Sequence, residues 1–191
     1  HALAPDYRVL NLTARNLEAA RIEATTQLSA LQPHAIVAIE RPGIAADGRY
    51  YNMHGEDITA HCFHFDPFIS QANCPTIAIG DGGNEIGMGN IATALTRLDI
   101  TASVTCCNEL LVADVSNWGA YGLIAFLGLW SRQDLLANIS PEDLLHYLSA
   151  RGSVDGVTRQ NTLTEDGLLP FEGANIIEQL RVLTHFLPRA L

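Results

Sequence analysis

Residues Thr76-Ile77-Ala78-Ile79 run straight into a segment with five glycines among the ten residues from Gly80 to Gly89. A short apolar run that ends on glycines fits a buried strand turning sharply toward a helix, because glycine adopts positive φ and lets the backbone approach a neighbour closely. The same alternation recurs along the chain. Tyr7 to Leu12 reads as a strand and Ala14 to Leu31 as a helix stopped by Pro33. Ala35 to Ile39 reads as a second, fully apolar strand.

After a long loop from Arg41 through Glu56, Ile58 to Ala72 reads as helix with a break at Pro67, and Gly87 to Arg97 as another helix. Ala102 to Cys106 is the fourth strand, and Leu110 to Ala113 suits a further one. An uncharged helix covers about Ala120 to Trp130. Ser140-Pro141-Glu142-Asp143 starts a helix to about Ala150, by capping, by proline in the first turn and by acids opposing the dipole. Gly173 to Phe186 is the last helix.

Strands alternating with helices predict an α/β fold. The sheet is mainly parallel with helices on both faces, a Rossmann-like three-layer sandwich. Residues 1–191 are expected as one domain with a helical C-terminal segment from about residue 133. The chain begins at His1 rather than methionine, so an N-terminally truncated piece is expected.

Composition removes several functions. All eleven basic residues are arginine, so no pyridoxal phosphate Schiff base and no P-loop lysine exist within this chain. With 21 acidic residues and a formal charge of −10, neither nucleic acid nor an anionic membrane is an expected partner. The run from Val115 to Ser131 reads as a buried helix rather than a membrane span. The four cysteines form no C-x-x-C pair and read as free thiols in a reducing compartment. His61 and His64 flank Cys62 without a fourth ligand at zinc spacing, and read as ordinary histidines.

Ligands of such sheets collect beyond the carboxyl ends of the strands, the edge from which the loops at Glu40, Gly80 and Cys107 leave. In the glycine loop, Asp81 and Glu85 suit proton transfer, a substrate amine or a divalent cation, and Asn84 can donate and accept. The turn reading, with Asp81 as a helix cap, competes. Arg41, after Glu40 and before Gly43, is suited to a carboxylate but also to an internal ion pair. Asn52 and Asp57 are the polar contacts of the next loop, Asp57 doubling as a cap. Ser116 and Asn117 start the apolar helix and would face the same edge.

Glu40-Arg41-Pro42-Gly43, Tyr51-Asn52-Met53-x-Gly55-x-Asp57, Gly80-Asp81-Gly82-Gly83-Asn84-Glu85-Ile86-Gly87-Met88-Gly89 and Val115-Ser116-Asn117-Trp118-Gly119 together resemble the D-glutamate cyclase C-terminal-like domain family over roughly residues 7–130. The resemblance implies a stand-alone bacterial member and a lyase that dehydrates D-glutamate to 5-oxo-D-proline by intramolecular amide formation. On that reading Asp81 is the base, Glu85 the acid, Arg41 holds the α-carboxylate, and Gly82 and Gly83 offer backbone N–H groups. A small acidic metabolite is then the partner and a homo-oligomer is compatible. The setting is cytoplasmic, or the mitochondrial matrix in a eukaryote. Two alternatives stand beside it. A haloacid-dehalogenase-like metal-dependent phosphatase shares the acidic glycine loop but needs a D-x-D motif that is absent. A non-catalytic small-molecule-binding domain would use the same residues without proton chemistry.

Overall fold

A computed structural model describes residues 7–188, and the chain divides into two compact units, His1–Leu111 and Val112–Leu191.

In the first unit, helix α1 spans Leu17–Leu31, and its cap Asn16 accepts a 2.8 Å hydrogen bond from Ala19 N–H. Ala20 and Ala24, one turn apart, are its buried contacts, and Gln32 ends it in the left-handed region before Pro33. Strand β1 (Ile36–Ile39) pairs in parallel with β2 (Thr76–Gly80), from Ile36 opposite Thr76 to Ile39 opposite Ile79. Among the described residues, strand β3 (Glu109–Val112) completes a three-stranded sheet of order β1-β2-β3, in the α/β class expected. Ile36 and Ala38 of β1 and Ala78 of β2 form one core with Ile86 and with Ile69 of helix α2 (Asp66–Ser70). Full burial of an isoleucine stabilises by roughly 1.5–3 kcal/mol.

Four expectations are corrected. Tyr7–Leu12 joins no ladder among the described residues. Ile58–Ala72 is not one helix but a 3-10 turn, Thr59–His61, followed by α2. Pro67 starts α2 rather than breaking it, since its missing N–H costs nothing in the first turn. Gly87–Arg97 gives a 3-10 turn, Met88–Ile91, and a single α-turn α3, Ala92–Leu95. Gly87 and Gly89 spend their N–H groups on the Thr105 carbonyl, at 2.9 and 3.1 Å, which holds this stretch to 103–105 and interrupts regular helix. Ala102–Cys106 alternates buried and exposed residues as a strand would, but bonds to loops instead. Ser103 N–H meets the Gly83 carbonyl at 3.1 Å and Val104 N–H meets that of Ile44 at 2.9 Å.

The second unit holds α4 (Ser116–Ser131), α5 (Pro141–Ser149) and α6 (Pro170–Leu183). The serine start of α5 is as expected, with the Ser140 hydroxyl accepting from Asp143 N–H at 3.2 Å. Tyr121 and Ala125 of α4 pack with Leu136 and with Ile177 of α6. Arg181 reaches Asp134 with both Nε and Nη2, at 2.9 and 2.8 Å, tying α6 to the turn beyond α4.

Between α5 and α6 the chain is organised by Asp155, which accepts from the N–H groups of Val157, Thr158 and Gly167 at 2.7–2.9 Å. Burial alone would raise its pKa, but the backbone bonds of Thr158 and Gly167 outweigh that and hold it at about 2, below its ordinary 3.8. A carboxyl with a depressed folded value stabilises the fold above its unfolded value and loses that contribution as pH falls through the folded one. The stability advantage of the wild type over Asp155→Asn, measured by thermal unfolding, is therefore expected to persist at pH 6 and to vanish between about pH 4 and pH 2.

Candidate active site

Three segments of the first unit are stitched together at the carboxyl ends of β1 and β2. Gly43 N–H donates to the Asn84 carbonyl and Ile86 N–H to that of Arg41, each at 2.8 Å. Pro42 and Glu85 form an antiparallel bridge. Packing there leaves no room for a side chain at Gly43, where a Cβ would lie 2.1 Å from the Ser103 hydroxyl and 2.9 Å from Ile86 N. Gly87 combines φ of +95° with a site where a Cβ would fall 2.5 Å from that of Ala78. These glycines are required by the join between loop and sheet.

Glu85 is 4% exposed and turns back into its own loop. Its Oε1 accepts from Gly82 N–H at 2.9 Å and from Asp81 N–H at 3.4 Å, and its Oε2 accepts from Gly83 N–H at 2.8 Å. The N–H groups of Gly82 and Gly83 are thus committed to Glu85. Asn84, by its side-chain amide, donates to the Tyr51 carbonyl at 2.8 Å and fixes the neighbouring loop to this one.

Glu40 follows β1 with φ of +49°, a conformation a non-glycine residue holds only when its surroundings enforce it. Its carboxylate and that of Asp81, from the ends of adjacent strands, bring oxygens within 4.8 Å of each other. Asp81 is half-buried and Glu40 exposed, so solvent and small molecules reach the pair. Two carboxylates at that separation can hold a cation or an ammonium group, or pass protons between a nucleophile and a leaving group.

Arg41 shares the loop through its main chain, but its side chain turns to another surface. Nη2 donates to the Phe63 carbonyl at 3.0 Å, the guanidinium lies 5.2 Å from the Phe65 ring centre, and buried Nε has no hydrogen-bond partner. Asn52 and Asp57 organise their own loop. Asn52 accepts from the N–H groups of His54 and Glu56, both at 3.0 Å. Asp57 accepts from Thr59 N–H at 2.9 Å and pairs with Arg49 at 3.3 Å. Ser116 and Asn117 belong to the second unit, where Ser116 is buried at the start of α4 and the Asn117 amide donates to Glu165.

Sequence reasoning missed Asp66. It lies buried at the start of α2, and its Oδ1 accepts from Ile44 N–H at 2.8 Å and from the Thr105 hydroxyl, while Oδ2 accepts from the Tyr50 hydroxyl at 2.5 Å. His64 adds its Nδ1 to the same hydroxyl at 3.0 Å, so this histidine is a buried network member. Burial first, then the Asp66 charge, push the Tyr50 phenol far above its ordinary range. Asp66 therefore ties the Glu40–Ile44 loop, through Ile44, to the glycine loop, through Thr105 and its bonds to Gly87 and Gly89. The signal was present as one charged residue inside Phe65-Asp66-Pro67-Phe68-Ile69. A carboxylate among apolar neighbours is kept only when its oxygens are hydrogen-bonded.

The family model described as "D-glutamate cyclase-like, C-terminal" matches residues 3–181. The human protein named "D-glutamate cyclase, mitochondrial" is 40% identical over 100 residues, a match covering 48% of this chain and 16% of the human one. The chain thus spans only a small part of that relative. Neither finding favours the phosphatase alternative. Among the described residues no helix is long and apolar enough to cross a membrane.

Removing either buried carboxylate strands several donors. Asp66→Ala is expected to lower stability by about 3 kcal/mol or more, and Glu85→Gln, which turns an amide donor toward N–H donors, by roughly 1–3 kcal/mol. Urea unfolding followed by circular dichroism checks both.

Proposed function

The chain belongs to the D-glutamate cyclase-like C-terminal family, and on that premise we propose that it is a lyase closing D-glutamate to 5-oxo-D-proline at the end of β1 and β2. The reading is carried by one observation, the approach of the Glu40 and Asp81 carboxylates to within 4.8 Å at the strand ends.

The chemistry asks for just such a pair. The amine must shed two protons, attack the γ-carboxyl carbon and form the ring C–N bond. One C–O bond breaks, and the departing oxygen leaves as water carrying two protons. The protons lost by the ammonium equal those gained by the oxygen, so groups that only relay them complete the reaction without net change. Asp81 is the base for the amine, as the sequence suggested. Glu40, its neighbour, delivers the proton to the leaving oxygen. Before reaction the same two carboxylates hold the substrate ammonium by charge. They can equally bind a divalent cation, which would polarise the γ-carboxyl.

Glu85 is assigned a positioning part rather than that of the acid. Both its oxygens are engaged by backbone N–H groups of its own loop. It acts by holding the loop that presents Asp81. Support for the substrate comes from the name of the human relative and the family.

The test is turnover of D-glutamate by the intact protein, read as 5-oxoproline formation, with L-glutamate as control. Asp81→Asn is expected to reduce kcat by about 100-fold or more, the usual contribution of a positioned base, while its thermal stability stays near that of the wild type. Unchanged turnover in this variant would remove Asp81 from the reaction, and a wild type inert toward both enantiomers would remove the substrate.

A further inference from the structure

The two carboxylate-bearing loops are held at a set distance by three residues that lie between them. Ser103 N–H donates to the Gly83 carbonyl at 3.1 Å and Val104 N–H to the Ile44 carbonyl at 2.9 Å. Successive amides of one segment thus reach the glycine loop and the Glu40–Ile44 loop in turn. Ala45 and Ser103 form an antiparallel bridge, and Ser103 packs so closely on Gly43 that no side chain fits between them. The Thr105 carbonyl takes the N–H groups of Gly87 and Gly89, while the Thr105 hydroxyl donates to Asp66. Residues 103–105 act as a spacer, and a shift of this spacer changes how the two loops stand to each other.

The spacer is held from behind by three buried side chains, Asp66, Tyr50 and His64, and their donors fix where each proton lies. Oδ1 of Asp66 accepts from Ile44 N–H at 2.8 Å and from the Thr105 hydroxyl, and Oδ2 accepts from the Tyr50 hydroxyl at 2.5 Å. A phenol has a single proton to give. Burial and the Asp66 charge both oppose its loss to solvent. With that proton turned to Asp66, the Tyr50 oxygen can only accept from His64 Nδ1, 3.0 Å away, so Nδ1 carries hydrogen. The opposite order, with the phenol proton turned to His64, would strip Oδ2 of a buried carboxylate of this donor, which is the costlier arrangement.

We propose that Tyr50 and His64 are positioning residues of the site. His64 Nδ1–H donates to Tyr50 and Tyr50 O–H donates to Asp66, and this ordered chain holds the 103–105 spacer that sets the separation of Glu40 from Asp81. Both residues act through Asp66 rather than on substrate. Their hydrogen bonds matter more than the volume they fill, because what they fix is the direction in which a buried carboxylate presents Oδ1 to Ile44 and Thr105. The kinetic consequence rests on the reaction proposed above; the effect on the loops does not.

Nitrogen NMR of the unaltered chain is the first test: in the neutral ring His64 is expected to bear hydrogen on Nδ1, and hydrogen on Nε2 instead overturns the proposal. Three variants of the full chain follow. Tyr50→Phe keeps the buried ring and removes only the hydroxyl. His64→Leu fills more of the space but has no donor, whereas His64→Asn is the smaller side chain yet returns an N–H near the Nδ1 position. Tyr50→Phe and His64→Leu are expected to speed amide exchange at Ile44 and Gly87 about tenfold or more relative to Ile36, and His64→Asn to speed it less. Ile36 serves as reference because its N–H is bonded within the sheet, to the Pro75 carbonyl. The kcat for 5-oxoproline formation follows the same order, falling about tenfold or more in the first two variants. Packing alone would rank Leu above Asn, and that order overturns the proposal. So does unchanged exchange in Tyr50→Phe, or faster exchange with unchanged kcat. A wild type that leaves D-glutamate untouched removes the reaction, and the exchange order still decides whether Tyr50 and His64 place the loops.

Discussion

The Glu85 carboxylate, buried and bonded to N–H groups of its own loop, is the interaction on which the rest of the first unit depends. A loop of small residues cannot bury enough apolar surface to offset the entropy of fixing its backbone. Charge-assisted bonds from Gly82 and Gly83 to one carboxylate supply that stabilisation. They also dictate shape, because two N–H groups two and three residues before Glu85 must converge on it. Asp81 is therefore held at the crown of the loop, facing the end of β1.

Asp66 does at the level of packing what Glu85 does within the loop. It bonds to one group from each of three segments, at Ile44, Tyr50 and Thr105. The loops it joins come from distant parts of the sequence, so a single buried charge sets their relative position. Such a centre is costly unless every lone pair is used. Here both oxygens have donors, and the tyrosine that supplies one is itself fully buried.

The mainly parallel sheet, the glycine turn and the helices α1, α5 and α6 were legible in the sequence, because each rests on a signal of element alternation, periodicity, cap or breaker. What was not legible depended on where backbone groups go after folding. Gly87 to Arg97 has a helical pattern, yet its first N–H groups bond to Thr105. Ser103 and Thr105 alternate like strand residues, yet bond to loops on either side. In the candidate site, Asp81 and Glu40 were singled out from their place at strand ends. The inward turn of Glu85 was not, because an acidic residue four positions into a glycine loop looks the same whether it faces a ligand or its own backbone. Arg41 shows the same limit, since the path of its main chain and the direction of its guanidinium are set by different neighbours, Ile86 for one and the Phe63–Phe65 surface for the other.

β1 also sets the site. Its carboxyl end passes into Glu40 in a left-handed conformation, and Glu40 N–H donates to the Ile79 carbonyl of β2 at 2.9 Å. The next residue, Arg41, accepts at its carbonyl from Ile86 N–H of the glycine loop at 2.8 Å. Glu40 thus lies between two main-chain bonds to the strand and the loop that carry Asp81, and this is why the two carboxylates meet at the strand ends.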